Sequence, residues 1–129
     1  TLYLENPIPS PTVVMRNVCL EGFFDELGSQ LSTWRMGDYP LWFWISAGWE
    51  LAFIPEPMSA YRVLQSSATR SGLKADWVRN KLAIRRYFYQ KDGRPVAAFY
   101  YWLGAAALLM ELAYHRRPSF LKHMSLRDV

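Results

Sequence analysis

Apolar and polar positions form short extended runs around one helical stretch in the first part of this chain and follow a clear helical period in the second. Pro7, Pro9 and Pro11 alternate near the start. Each fixes its own φ and drives the residue before it into an extended conformation. Thr12-Val13-Val14-Met15 is β-branched and apolar, which predicts a short strand closed by Arg16 and Asn17. A short helix or turn is expected from Val18 to Gly22, then the acidic and aromatic run Phe23-Phe24-Asp25-Glu26, then a polar loop over 27–33. The pattern from Asp38 to Ala47 predicts a helix, with Pro40 in its tolerant first turn and Gly48 just past its end, where a left-handed cap fits. Leu41, Trp42, Ile45 and Trp49 form its broad apolar face. Leu51-Ala52-Phe53-Ile54 predicts a buried strand, Pro55-Glu56-Pro57 breaks it, and Met58 to Leu64 predicts another. A polar loop over 66–72 follows.

Past residue 72 the period becomes helical. Leu73, Trp77, Ile84 and Phe88 recur at helical spacing in a helix from Lys74 to Gln90, with Arg79, Lys81, Arg85 and Arg86 elsewhere on its surface. Lys91-Asp92-Gly93-Arg94-Pro95 is a turn. A second helix runs from Val96 to His115 and stops at Arg116-Arg117-Pro118, with a short tail helix expected over Ser119 to Met124. The expected fold class is therefore α+β: an incomplete mixed sheet of a few short strands in residues 1–72, then long C-terminal helices in residues 73–129.

Composition changes this picture little. With 129 residues, 51% hydrophobic, the chain is long enough for a real core and too apolar for disorder. Its 16% aromatic content suits a surface that packs on sugars, lipid headgroups or another domain. A net charge of +4 permits an anionic partner without demanding one. The single cysteine, Cys19, cannot form an intrachain disulfide and reads as a buried thiol. The opening Thr1-Leu2-Tyr3-Leu4 has neither an initiator Met nor a signal pattern, as expected of a piece of a longer protein.

The stretch that carries candidate chemistry is Trp34-Arg35-Met36-Gly37-Asp38-Tyr39-Pro40-Leu41-Trp42. A carboxylate at a helix start, after a glycine that admits close approach, is a suitable general base. By itself Asp38 reads first as a helix cap. Trp34, Tyr39 and Trp42 supply aromatic faces that a sugar ring can pack against.

Three segments in order add a resemblance. Asn6-Pro7-Ile8 with Pro11-Thr12-Val13-Val14-Met15-Arg16, then Gly37-Asp38-Tyr39-Pro40-Leu41-Trp42, then Glu50 to Ile54 with Met58-Ser59-Ala60-Tyr61-Arg62-Val63, resemble the C-terminal half of family 2 glycosyltransferases of the GT-A fold. The resemblance implies inverting transfer of a sugar from a nucleotide-sugar donor to an acceptor hydroxyl on a saccharide or glycolipid, in surface polysaccharide or glycolipid assembly. It implies Asp38 as catalytic base and an acceptor pocket shaped by Trp34, Tyr39, Trp42 and Thr12. Arg62 is either a structural cation or one that faces the donor diphosphate. The family's Asp-x-Asp motif is absent from these residues, and Leu64 stands where many relatives carry a His. The divalent cation (Mg or Mn) of such an enzyme is then expected to bind outside this chain, which alone is expected to be inactive.

The remaining features are less specific. His115 and His123 lack partners at metal-ligand spacing, and no Gly-rich phosphate loop occurs. Arg79, Lys81, Arg85, Arg86, Lys91 and Arg94 form a basic stretch, read as a solvated helix face or as an attraction for anionic lipid headgroups; no nucleic-acid motif accompanies it. Val96 to Ala113 carries one charge, Glu111, and spans about 27 Å as a helix. A buried helix or a homo-oligomer contact is the first expectation, membrane-surface packing the second and a true span the third. The expected location is cytoplasmic, with peripheral contact at the inner face of the membrane. The alternative function is a non-enzymatic helical module that binds a membrane or a protein partner.

Overall fold

A computed structural model describes residues 1–60 and 74–116, with side chains to Tyr114. Among these residues four α-helices carry the fold: α1 Phe23–Leu31, α2 Asp38–Gly48, α3 Lys74–Lys91 and α4 Pro95–Arg116. Two 3-10 turns, Ser10–Thr12 and Asn17–Leu20, precede them.

No strand forms among the described residues, so the expected α+β sheet is corrected to an all-helical architecture. A β-branched run becomes a strand only when a neighbour completes its ladder. Thr12 ends a 3-10 turn whose hydroxyl is tied at 2.7 Å to the Pro9 carbonyl. Val13 is extended, but its N–H donates to the Ser10 carbonyl at 3.3 Å and not to a neighbouring strand, and Val14 is fully exposed. The stretch expected as a buried strand is also unpaired, with Phe53 87% exposed. The second expected strand enters residues 61–64, which lie outside the described residues, as do the loop 66–72 and the tail helix.

Where a polar loop was expected over 27–33, α1 occupies residues through Leu31. Phe23, Leu27 and Leu31 recur every four residues, and Asp25 and Glu26 place negative charge in the first turn, where the helix dipole favours it. Gly22 enters α1 with φ +74°, a left-handed conformation that costs glycine nothing. Gly48 ends α2 from inside the helix, and the left-handed cap expected there does not form: Trp49 follows in an extended conformation.

The core is largely aromatic. Tyr3, Phe23, Leu27, Tyr39, Phe43, Ile84, Phe88 and Tyr101 meet in one cluster that draws on all four helices and the N-terminal segment. Phe43 and Phe88 stack at 4.8 Å, as do Tyr89 and Tyr101 at 4.5 Å. A smaller cluster joins the buried Cys19 to Trp42 and Ile45. The helices α3 and α4 form a hairpin across the turn Asp92–Arg94, where the Asp92 carboxylate accepts from the Arg94 backbone and guanidinium.

Arg85 corrects the expected solvated basic face. It is 1% exposed and has no carboxylate partner among the described residues; its guanidinium instead donates to Tyr39 Oη at 2.7 Å, the Gly104 carbonyl at 3.2 Å and the Leu4 carbonyl at 2.6 Å. Tyr39 donates its own hydroxyl hydrogen bond to the Leu2 carbonyl. One cation thus ties α2, α3, α4 and the N-terminal segment together. Gly104 permits this closeness: a Cβ there would lie 1.9 Å from the Tyr3 carbonyl oxygen.

Candidate functional site

Asp38 opens α2 as its first helical residue, at the surface and half-buried. The sequence offered a cap as its bland role, but the helix start has no side-chain cap bond. The carboxylate turns instead to the N-terminal segment, where Ser10 Oγ donates to Asp38 Oδ2 at 2.6 Å. The bond is exposed and short, as a hydroxyl-to-carboxylate bond should be. Ser10 sits in that place because Pro9 and Pro11 bracket it in the 3-10 turn, whose last residue is Thr12.

The expected pocket residues divide into two groups. Tyr39 and Trp42 are buried on the inner side of α2, at 0% and 3% exposure, and present no face to solvent. Burial pushes the Tyr39 phenol up in pKa against the opposing pull of Arg85, so its hydroxyl stays a donor. The Trp42 indole N–H is buried without a hydrogen-bond partner among the described residues. Thr12 and Trp34 lie on the outside. Thr12 shares the turn with Ser10, and Trp34 sits edge-on to Tyr87 at 5.4 Å. Arg62 falls outside the described residues.

Trp34 also lines an open cleft of about 360 Å³ with Arg35, Asp76, Arg79 and Asn80. Asp76 pairs there with Arg79 at 3.2 Å and with Arg35 at 3.6 Å. Asn80 contributes a buried Oδ1 that has no hydrogen-bond partner among the described residues. An aromatic edge beside planar polar groups offers both the apolar contact and the hydrogen bonds that a sugar uses.

Two functional candidates were missed in the sequence. Ser10 gave no signal, because a serine between prolines reads as a turn. Asn80 lay hidden in a helix whose pattern pointed to its apolar and basic residues. Among the described residues, no group of three His, Cys, Asp or Glu comes together that could hold a metal ion. The residues present therefore do not fit a divalent-cation site, and no chemistry is derived through one. Compared with protein-family models, with curated proteins and with solved structures, the chain matches none of them.

Proposed function

We propose that this chain supplies the acceptor side of an inverting glycosyl transfer, with Asp38 as general base. The Ser10–Asp38 hydrogen bond carries the proposal. A hydroxyl already donates to this carboxylate at 2.6 Å from the protein surface. An acceptor hydroxyl needs the same relation, and taking up Ser10's place would establish it.

The step is then direct. The acceptor oxygen attacks the anomeric carbon of a nucleotide sugar, a new C–O bond forms, and the bond to the diphosphate oxygen breaks with its electron pair. The acceptor proton passes to Asp38, and the nucleoside diphosphate leaves. Trp34 and its cleft are the seat for the acceptor sugar, with Thr12 in the turn that carries Ser10. Tyr39 and Trp42 act from within the core, by fixing α2 and hence the position of Asp38. Donor binding and neutralisation of the diphosphate are supplied outside the described residues. The location that fits is the cytoplasm at the inner face of the membrane, where nucleotide sugars meet lipid-linked acceptors.

The test is Asp38→Asn in the full-length protein. Folding and nucleotide-sugar binding are expected to persist while transfer is lost. Near-normal turnover would refute the role given to Asp38.

A further inference from the structure

Over 95–110 the helix α4 has no charged side chain, yet among the described residues it packs on one side only. Pro95–Tyr114 has a mean hydropathy of 1.5, and it is the one helix among the described residues long and apolar enough to cross a membrane. Only 28% of its most apolar window is buried. The packed side is Ala97, Tyr101, Gly104, Ala105 and Leu108. The outer side carries Val96, Phe99, Trp102, Leu103, Leu109 and Met110, all exposed, with Phe99 and Trp102 at 64%. At helical spacing these six fall within an arc of about 140°. Glu111, one residue beyond Met110, lies about 60° off the edge of that arc. The outer stripe therefore carries no charge along its length.

We infer that this stripe docks on the surface of a bilayer that carries anionic headgroups. Charge complementarity and side-chain chemistry choose this occupant. The chain is +4 overall. Cationic positions bracket the stripe in sequence: Lys91 and Arg94, paired with Glu26 and Asp92, before it, and Arg116 at the end of the helix. An anionic surface complements that arrangement, whereas a second copy would bring like charge against like. The stripe also presents aromatic rings, with Trp102 of the kind enriched at the membrane–water interface.

The helix lies on the surface and does not span. Arg85 donates to the Gly104 carbonyl in the middle of α4. A spanning α4 would carry that guanidinium and the polar helix α3 into the hydrocarbon, at a cost that the fold has no means to offset. Flat docking leaves the hairpin intact. This inference rests on α4 alone and is independent of the transfer chemistry at Asp38.

The experiment is vesicle flotation of the purified chain, with vesicles of phosphatidylcholine and phosphatidylglycerol in about a 3:1 ratio and of phosphatidylcholine alone. Binding is expected to the first, weakening as salt rises, and to be much weaker with the second. Phe99→Glu and Trp102→Glu are each expected to lower binding about tenfold or more. Circular dichroism and thermal melting are expected to show both variants folded like the parent. If either unfolds, Leu103→Ser and Met110→Gln replace it and are expected to lower binding in the same direction. No flotation with anionic vesicles, or equal flotation of the folded variants, would overturn the inference. So would a dimer by light scattering that Trp102→Glu dissociates, since a second copy would then own the stripe.

Discussion

Arg85 Nε donates to the Tyr39 hydroxyl at 2.7 Å, and that hydroxyl donates onward to the Leu2 carbonyl. A buried guanidinium is costly unless its donors are engaged. Here three of them are, and all three acceptors are neutral oxygens drawn from α2, α4 and the N-terminal segment. Asp38 is the residue before Tyr39, so this relay also sets where the carboxylate stands.

Replacing Arg85 should therefore do more than remove a charge. Arg85→Ala is expected to destabilise the fold by about 3–5 kcal/mol, because it orphans the acceptors and leaves a cavity. Arg85→Lys should recover only part of this, since a point ammonium cannot reach three separated acceptors. Tyr39→Phe is expected to cost about 1–2 kcal/mol. Urea denaturation of the three variants checks the order; a mild effect of Arg85→Ala would show that the relay does not hold the fold.

Gly104→Ala tests the contact between α4 and the N-terminal segment. In an ordinary helix interior the change stabilises by about 1 kcal/mol. Here the new Cβ would lie 1.9 Å from a backbone carbonyl that cannot swing aside as a side chain can. A net loss of about 2 kcal/mol or more is expected, or release of the first residues from the core. Thermal melting, with proteolysis to report the freed segment, distinguishes the two from a neutral change.

Asp92 makes the fold sensitive to acid. Its bonds to Arg94 hold the carboxyl down from 3.8 to about 2, with the Tyr3 hydroxyl adding a weaker one at 3.3 Å. A depressed folded pKa stabilises above the unfolded value, so the contribution is complete above about pH 5 and is lost as pH falls through about 2. It amounts to about 1–2 kcal/mol after allowance for the solvent around Arg94. Asp92→Asn should flatten this part of the stability profile. Tyr3 acts at the other end: burial first, then Asp92, raises its phenol above 10.0. That contribution is present below pH 10 and is lost progressively above it. Stability measured against pH in the parent, Asp92→Asn and Tyr3→Phe separates the two.

How far the sequence carried the fold depended on whether an element needed a distant partner. Helices α2, α3 and α4 and the turn before Pro95 were visible within one or two residues, since period, glycine and proline are local signals. Thr12-Val13-Val14-Met15 has strand composition, but a strand needs a ladder that these residues do not find. The signal for α1 lay in Phe23, Leu27 and Leu31, masked by Gly28, Ser29 and Ser32, which disfavour helices. Asp38 was legible as a helix start. Its partner Ser10 was not, because 28 residues separate them and only the packed N-terminal segment closes the distance. Arg85 looked solvated for a similar reason: its acceptors are backbone carbonyls, which leave no mark in a sequence.

Asp38 itself should matter little for stability. Its bond to Ser10 is exposed, so Asp38→Asn and Ser10→Ala are each expected to change stability by less than about 1 kcal/mol. Equilibrium denaturation checks both. A large loss in either would mean that the pair is structural.

The central claim is that Asp38 takes the proton of an acceptor hydroxyl that enters where Ser10 now donates. Turnover of the full-length protein with nucleotide sugar and acceptor, compared for the parent, Ser10→Ala and Asp38→Asn, tests it most directly. Ser10→Ala should retain transfer within a few-fold, and Asp38→Asn should lose about 100-fold or more in kcat while still binding the donor. Equal activity of Asp38→Asn and the parent would contradict the claim.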